Sequence, residues 1–215
     1  MENVPFIAIE GPIGVGKTSL AKKIATHFNF ELLNEIVEEN PFLGKFYDNI
    51  EEWSFQTEMF FLCNRYKQLE DIDQLYLQKG QAVVSDYHIF KNMIFAKRTL
   101  KDDKYEKYEQ IYRILTEDMP KPNMIIYLHA SLDTLLKRIE KRGREIEKNI
   151  QPNYLAQLSE DYGEFIKRFE QEEPEVPVIH IDGDHYDFVE KQEDLDIIFQ
   201  KVSKHVTRVP LERKK

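Results

Sequence analysis

"PFIAIEGPIGVGKTSLAKKIATHF", residues 5–28, decides the fold. A short apolar run, residues 5–11, ends in glycine, and a stretch with helical periodicity, residues 17–28, follows. The joint between them, "GPIGVGKT" (11–18), matches Gly-x-x-x-x-Gly-Lys-Ser/Thr. Gly11, Gly14 and Gly16, with Pro12, Ile13 and Val15 between them, let the backbone curl so that successive N–H groups converge on phosphate oxygens. Lys17 is placed to reach the β- and γ-phosphates, Thr18 to ligate Mg²⁺, and the helix N-terminus adds its positive dipole. The motif lies between a strand and a helix, the context this chemistry requires. The chain is expected to bind a nucleoside triphosphate, ATP or another, with magnesium.

Outward from this joint, apolar runs alternate with helical stretches. Residues 30–35, 81–88, 123–130 and 177–183 read as further strands. A turn and short helix (40–47), a long helix (about 51–78), a helical hairpin (about 89–118), a helix from Ser131 to Gly143 and a last helix (about 186–205) lie between and after them. Such alternation predicts an α/β fold: a five-stranded parallel sheet covered on both faces, in one domain spanning 1–215. Ligands in such sheets bind at the carboxyl ends of the strands, where the chemistry is expected.

Composition narrows the class. A net charge of −9 disfavours a nucleic-acid-coating or membrane-surface protein. No apolar stretch approaches the roughly 20 residues of a membrane-spanning helix, and the N-terminus is too short and acidic for a secretory signal. A single cysteine, Cys63, excludes an intrachain disulfide framework and fits a reducing compartment, so a cytoplasmic protein is expected. Within "MFFLCNRY" it reads as a buried small hydrophobe.

The triphosphate motif alone does not choose between GTPase, motor, transporter and kinase. No Asn-Lys-x-Asp guanine-reading motif follows it. "RIEKRGRE" (138–145) places Arg138 and Arg142 one turn apart, with Arg144 just past Gly143. Three permanently charged forks at a helix end and loop suit a lid, about 138–150, closing over transferring phosphoryl oxygens.

With these residues in view, the chain resembles the deoxyribonucleoside kinases, on the nucleoside monophosphate kinase fold. The phosphate loop, "NEIV" (34–37), "FYDNIEEWSFQTE" (46–58), "NRYKQLE" (64–70), "SDYHIFKNMIFA" (85–96) and "RIEKRGREIEKNIQPNYL" (138–155) occur in that family's order. The resemblance covers nearly the whole chain and points to the bacterial deoxyguanosine kinases, with the deoxyadenosine kinases beside them. It implies that Glu35 takes the proton of the 5′-hydroxyl and that Asp86 lies near magnesium and the reacting oxygen, leaving open which is formally the base. It implies that Tyr47 and Glu147 hold the 3′-hydroxyl, and that Asn92 is one of three base-reading positions. Where the family usually has Asp/Glu-Arg-Ser, this chain has Asp86-Tyr87-His88, and Tyr87 cannot supply the arginine's charge. His88 reads as a neutral histidine at a helix start. A homodimer through the long helix and the hairpin is a further implication. A nucleoside monophosphate kinase would need extra cations near the third strand. A non-catalytic ATP-binding module would not need Glu35 and Asp86 at strand ends.

Glu58 sits among Trp53, Phe55, Met59, Phe60 and Phe61, where relatives carry a base-reading glutamine. A carboxylate offers only acceptors, so its partner must present adjacent donors. Guanine's N1–H and 2-amino group do so. Arg65, seven residues on and hence on the same helical face, is expected to aim its fork at guanine O6 and N7. The bland alternative is a Glu58–Arg65 ion pair at a partly wet surface. The expected reaction is therefore phosphorylation of a purine deoxynucleoside, deoxyguanosine first.

Overall fold

The computed structural model describes residues 4–36 and 39–206. Among these, β1 (Phe6–Glu10), β2 (Glu31–Leu33), β3 (Val83–Ser85), β4 (Met124–His129) and β5 (Val178–Asp182) form one parallel sheet in the order β2-β3-β1-β4-β5. In register, Ala8 lies beside Ser85 on one side and Ile125 on the other. The central strand is buried along its whole length, as a near-continuous apolar run demands when helices cover both faces. Two strands lie on each side of β1, so the loops after β1, β2 and β3 open onto one crevice.

The helices are α1 (Lys17–Phe28), α2 (Leu43–Asp48), α3 (Ile50–Leu75), α4 (Lys91–Thr99), α5 (Asp102–Thr116), α6 (Leu132–Arg142), α7 (Pro152–Glu172) and α8 (Gln192–Ser203). Asn49 caps α3 by accepting from the Glu52 N–H, and Ser131 caps α6 by accepting from the Thr134 N–H. α6 ends at Gly143 with φ 66°, as expected. One core cluster joins α1, α7 and α8 to the sheet; a second packs α3, α4 and α5 around Leu62, Leu69, Tyr87 and Tyr108.

Three expectations need correction. The strands are shorter than their apolar runs, so Glu35 and Asp86 stand in the loops just beyond β2 and β3. The long helix ends at Leu75, and a tight turn, Leu77–Lys79, precedes the left-handed Gly80 (φ 75°). Cys63 is exposed, because the inward face of α3 runs through Thr57, Glu58, Phe61, Leu62, Arg65 and Leu69 and leaves position 63 outside. One element had no expectation at all: α7, 21 residues long, buries Tyr154, Leu155, Leu158, Tyr162 and Ile166 against the core.

Candidate active site

The loop 11–16 curls over the carboxyl end of β1. Gly11 adopts φ 147°, where an added Cβ would stand 2.1 Å from the Leu128 carbonyl oxygen; at Gly14 (φ 86°) it would stand 2.9 Å from that of Leu135. Only glycine fits either position. Lys17 folds over the loop, its Nζ donating to the carbonyls of Gly11 (2.7 Å) and Pro12 (3.0 Å). Burial and the nearby Lys91 ammonium lower its pKa, a bias that incoming phosphate charge would reverse. The loop borders a cavity of about 790 Å³.

Asp86 and Thr18 meet at the cavity's edge. The Thr18 hydroxyl donates to Asp86 Oδ2 (2.5 Å), and the Glu35 N–H donates to Asp86 Oδ1 (2.7 Å). Two hard oxygen donors beside a phosphate loop fit Mg²⁺, which is commonly held by one or two protein oxygens, substrate phosphates and water. Glu35 is gripped by cations. Lys91 Nζ donates to both of its oxygens at 2.9 Å, and Arg65 adds Nε at 3.1 Å and Nη2 on the same carboxylate. Burial alone would raise the Glu35 carboxyl, but Lys91 and Arg65 outweigh it and lower it to about 2.

The lid arginines divide their work. Arg138 donates to the carbonyls of Val15 (2.9 Å) and Gly183 (2.8 Å), strapping the phosphate loop to the segment after β5. Arg142 grips Glu147 through Nε (3.1 Å) and Nη2 (2.7 and 2.6 Å), and Arg144 stands 3.6 Å from the same carboxylate. Glu147 is buried, and Tyr47 lines the cavity beside it. Burial and then the Glu147 charge push the Tyr47 phenol upward.

At the other end of the cavity, Glu58 faces inward between Phe61 and Thr57. It is 2% exposed, and its Oε2 has no hydrogen-bond partner. Among the described residues only two other buried side-chain atoms share that condition, Thr57 Oγ1 and the Tyr154 hydroxyl. Thr57 lines the same cavity, and Tyr154 packs its ring on Phe46, another lining residue. Buried polar groups are almost always paired in native structures, so the two orphans that line one cavity end, on Thr57 and Glu58, mark a place that a polar ligand completes.

A family model described as deoxynucleoside kinase matches residues 7–207. The chain belongs to that family. The kinase is 58% identical over 206 residues to the deoxyguanosine kinase of Bacillus subtilis (strain 168), covering 96% of this chain and 98% of the relative. It is 30% identical to the deoxyadenosine/deoxycytidine kinase of the same organism, over 92% of this chain and 91% of that one. Among solved structures, deoxyadenosine kinase from M. mycoides with bound dCTP superposes with a TM-score of 0.78 at 26% identity, covering 93% of the kinase and 99% of that chain. Membership in this family makes a nucleoside triphosphate the phosphate donor and sets aside the monophosphate-kinase and regulatory-module alternatives.

The kinase gathers Lys17, Thr18, Glu35, Tyr47, Glu58, Arg65, Asp86, Arg138, Arg142, Arg144 and Glu147 around one cavity. Gly11, Pro12 and Val15 stand behind the loop surface, outside the lining. Tyr87 and Asn92, which the resemblance sets among the substrate-binding positions, stand outside the cavity lining. Tyr87 is fully buried, with its hydroxyl on Gln68 Oε1 at 2.7 Å. Asn92, also fully buried, accepts from Arg65 Nη1 (2.6 Å) and donates to the Tyr108 hydroxyl (2.7 Å), which orients Arg65. Arg65 in turn is bonded to Glu35 and Asn92; it neither pairs with Glu58 nor points a free fork at O6 and N7. His88 is buried beside Pro120, and burial lowers its pKa to about 4, consistent with a neutral ring. Two ionisable residues went unforeseen. Lys91 is buried and donates to both oxygens of Glu35. Glu10, fully buried at the end of β1, accepts from the His88 N–H (2.6 Å) and the Tyr162 hydroxyl (3.3 Å).

Proposed function

We propose that this kinase transfers the γ-phosphoryl group of Mg²⁺-bound ATP to the 5′-hydroxyl of deoxyguanosine, yielding dGMP. The observation that carries the base assignment is the orphaned, inward-facing carboxylate oxygen of Glu58. Guanine's N1–H and 2-amino group supply adjacent donors to such an acceptor pair, whereas adenine would turn its N1 lone pair towards it. The name of the Bacillus subtilis relative supports the same substrate.

At the phosphate end, Lys17 and the loop N–H groups hold the triphosphate, and Arg142 and Arg144 supply lid charge. Thr18 and Asp86 would hold Mg²⁺, which neutralises charge on the phosphates when bound. Asp86 faces Thr18 and the magnesium side, and Glu35 Oε2, which accepts from Lys91, keeps a lone pair for the 5′-hydroxyl proton. A carboxylate held near pKa 2 is a weak base. That suffices where the attacking oxygen develops little charge before the phosphoryl group arrives. Tyr47 and Glu147 are placed to meet the 3′-hydroxyl.

The reading includes one kinase domain over 1–215, a cytoplasmic location and a homodimer. Among the described residues no helix is long and apolar enough to cross a membrane. Sedimentation would measure self-association.

The deciding experiment measures kcat/KM at neutral pH for the four deoxynucleosides with wild type and Glu58→Gln. Wild type should favour deoxyguanosine, and the substitution should move the deoxyguanosine-to-deoxyadenosine ratio by at least about 10²-fold towards deoxyadenosine. An unmoved ratio removes Glu58 as the base reader.

A further inference from the structure

The hydrogen bonds around Glu58 constrain its own proton. Glu58 Oε1 lies 3.3 Å from the Thr99 hydroxyl oxygen, which also lies 2.9 Å from the Phe95 carbonyl oxygen. A hydroxyl has one hydrogen, and a carbonyl can only accept it. With that hydrogen on Phe95, Thr99 offers Glu58 a lone pair, and their contact becomes a hydrogen bond only if Glu58 carries a proton. Oε2 has no donor either. In that arrangement the protein's own groups around Glu58 favour the carboxylic acid.

The acid and the carboxylate read different edges. A carboxylate presents two acceptors, which guanine's N1–H and 2-amino donors complete. A carboxylic acid presents one donor and one acceptor, which adenine's N1 lone pair and 6-amino group complete. Building on the base assignment above, we propose that deoxyadenosine is a second substrate of this kinase, taken when Glu58 is protonated, and deoxyguanosine the substrate taken when it is ionised. Deoxyguanosine binding to the protonated form releases a proton to the buffer, and deoxyadenosine binding to the ionised form takes one up.

The groups that act on Glu58 or feel its charge come from five helices: Tyr47 on α2, Arg65 on α3, Lys91 and Thr99 on α4, Tyr108 on α5 and Tyr154 on α7. Arg65 and Lys91 favour the carboxylate, but both are drawn onto Glu35. Burial prevails over them and pushes the Glu58 carboxyl up to about 7, so both forms are populated near neutrality.

The ratio of ionised to protonated enzyme rises tenfold per pH unit whatever the exact pKa. Groups at the phosphate end act on both nucleosides alike and cancel. The ratio of kcat/KM for deoxyguanosine over deoxyadenosine should therefore rise roughly 100-fold between about pH 6 and pH 8 in wild type, and stay flat in Glu58→Gln. Calorimetry of deoxyguanosine binding near pH 6, in two buffers of different ionisation enthalpy, should show proton release in wild type and none in the variant. A wild-type ratio that moves less than about threefold over that range, or binding heats independent of buffer, overturns the proposal. The base reading would survive either result provided Glu58→Gln still shifts the purine ratio at fixed pH.

Discussion

Replacing Lys91 by Met keeps the stem's bulk and removes the charge that spans both oxygens of Glu35. At 2.9 Å, and at an effective dielectric of about 20, such a pair attracts by about 6 kcal/mol before desolvation is charged against it. Arg65 remains on the same carboxylate, so Glu35 is not left unpaired, and removing Lys91 also spares its own desolvation. The net loss should fall to about 2–3 kcal/mol, below the usual cost of orphaning a buried ion. For a chain of this size that lowers Tm by about 4–12 °C. The catalytic loss should be of similar size. On the proposed mechanism Glu35 takes the 5′-hydroxyl proton and must stay fixed and ionised, and losing one preorganised electrostatic partner typically lowers kcat about 10²-fold. Steady-state kinetics with saturating ATP would measure this, with thermal unfolding in parallel. A double-mutant cycle with Glu35→Gln tests the route. If Lys91 acts through Glu35, the second substitution should cost at least about tenfold less in the Lys91→Met background than in wild type. A kcat within about threefold of wild type, or effects that simply multiply, would refute the assignment.

Lys17→Ala should abolish turnover with the fold kept, since among the described residues Lys17 bonds only loop carbonyls; residual activity above about a tenth in a phosphate-transfer assay would contradict its role. Arg138→Ala removes the strap between Val15 and Gly183, and should cost about 2–3 kcal/mol in denaturant unfolding while raising KM for the triphosphate. Glu58→Gln should change the pH dependence of unliganded stability. The Glu58 carboxyl lies above its unfolded value of 4.5, so wild type loses stability as pH rises from there through about 7. The variant's advantage should thus be near zero in acid and reach on the order of 3 kcal/mol above neutrality, and equal Tm differences in acid and base would count against it.

What the sequence revealed and what it hid differ in kind. Gly11 and Gly14 are legible because their positive φ and close carbonyls are backbone demands met by one residue type. Glu58 is legible because a carboxylate between aromatics on a helix needs an explanation from local spacing alone. Lys91 is not. A lysine opening a helix looks solvated, and only the fold brings it to a carboxylate 56 residues away. Glu10 is hidden in the same way, since its partner Tyr162 is 152 residues distant. The burial of Asn92 and Tyr87 is not legible, because it depends on partners that only the fold brings to them. Asn92 follows Arg65, and Tyr87 fills the second core. α7 is hard to read in the sequence although Pro152 at its start and Tyr154, Leu155, Leu158, Tyr162 and Ile166 at helical intervals mark it. Its charged residues obscured the stripe.

The chain of contacts from Glu35 through Arg65 and Asn92 to Tyr108 also partitions the pocket for redesign. Each of its members already satisfies a neighbour, so altering one disturbs several. Thr57, Glu58 and Thr99 stand outside that chain and carry the pocket's loose polar atoms or its ambiguous hydrogen. A library confined to these three positions should change which nucleobase analogues enter while leaving the machinery at the sugar's 5′ end in register. A library that includes 65, 92 or 108 should lose turnover for every nucleobase together.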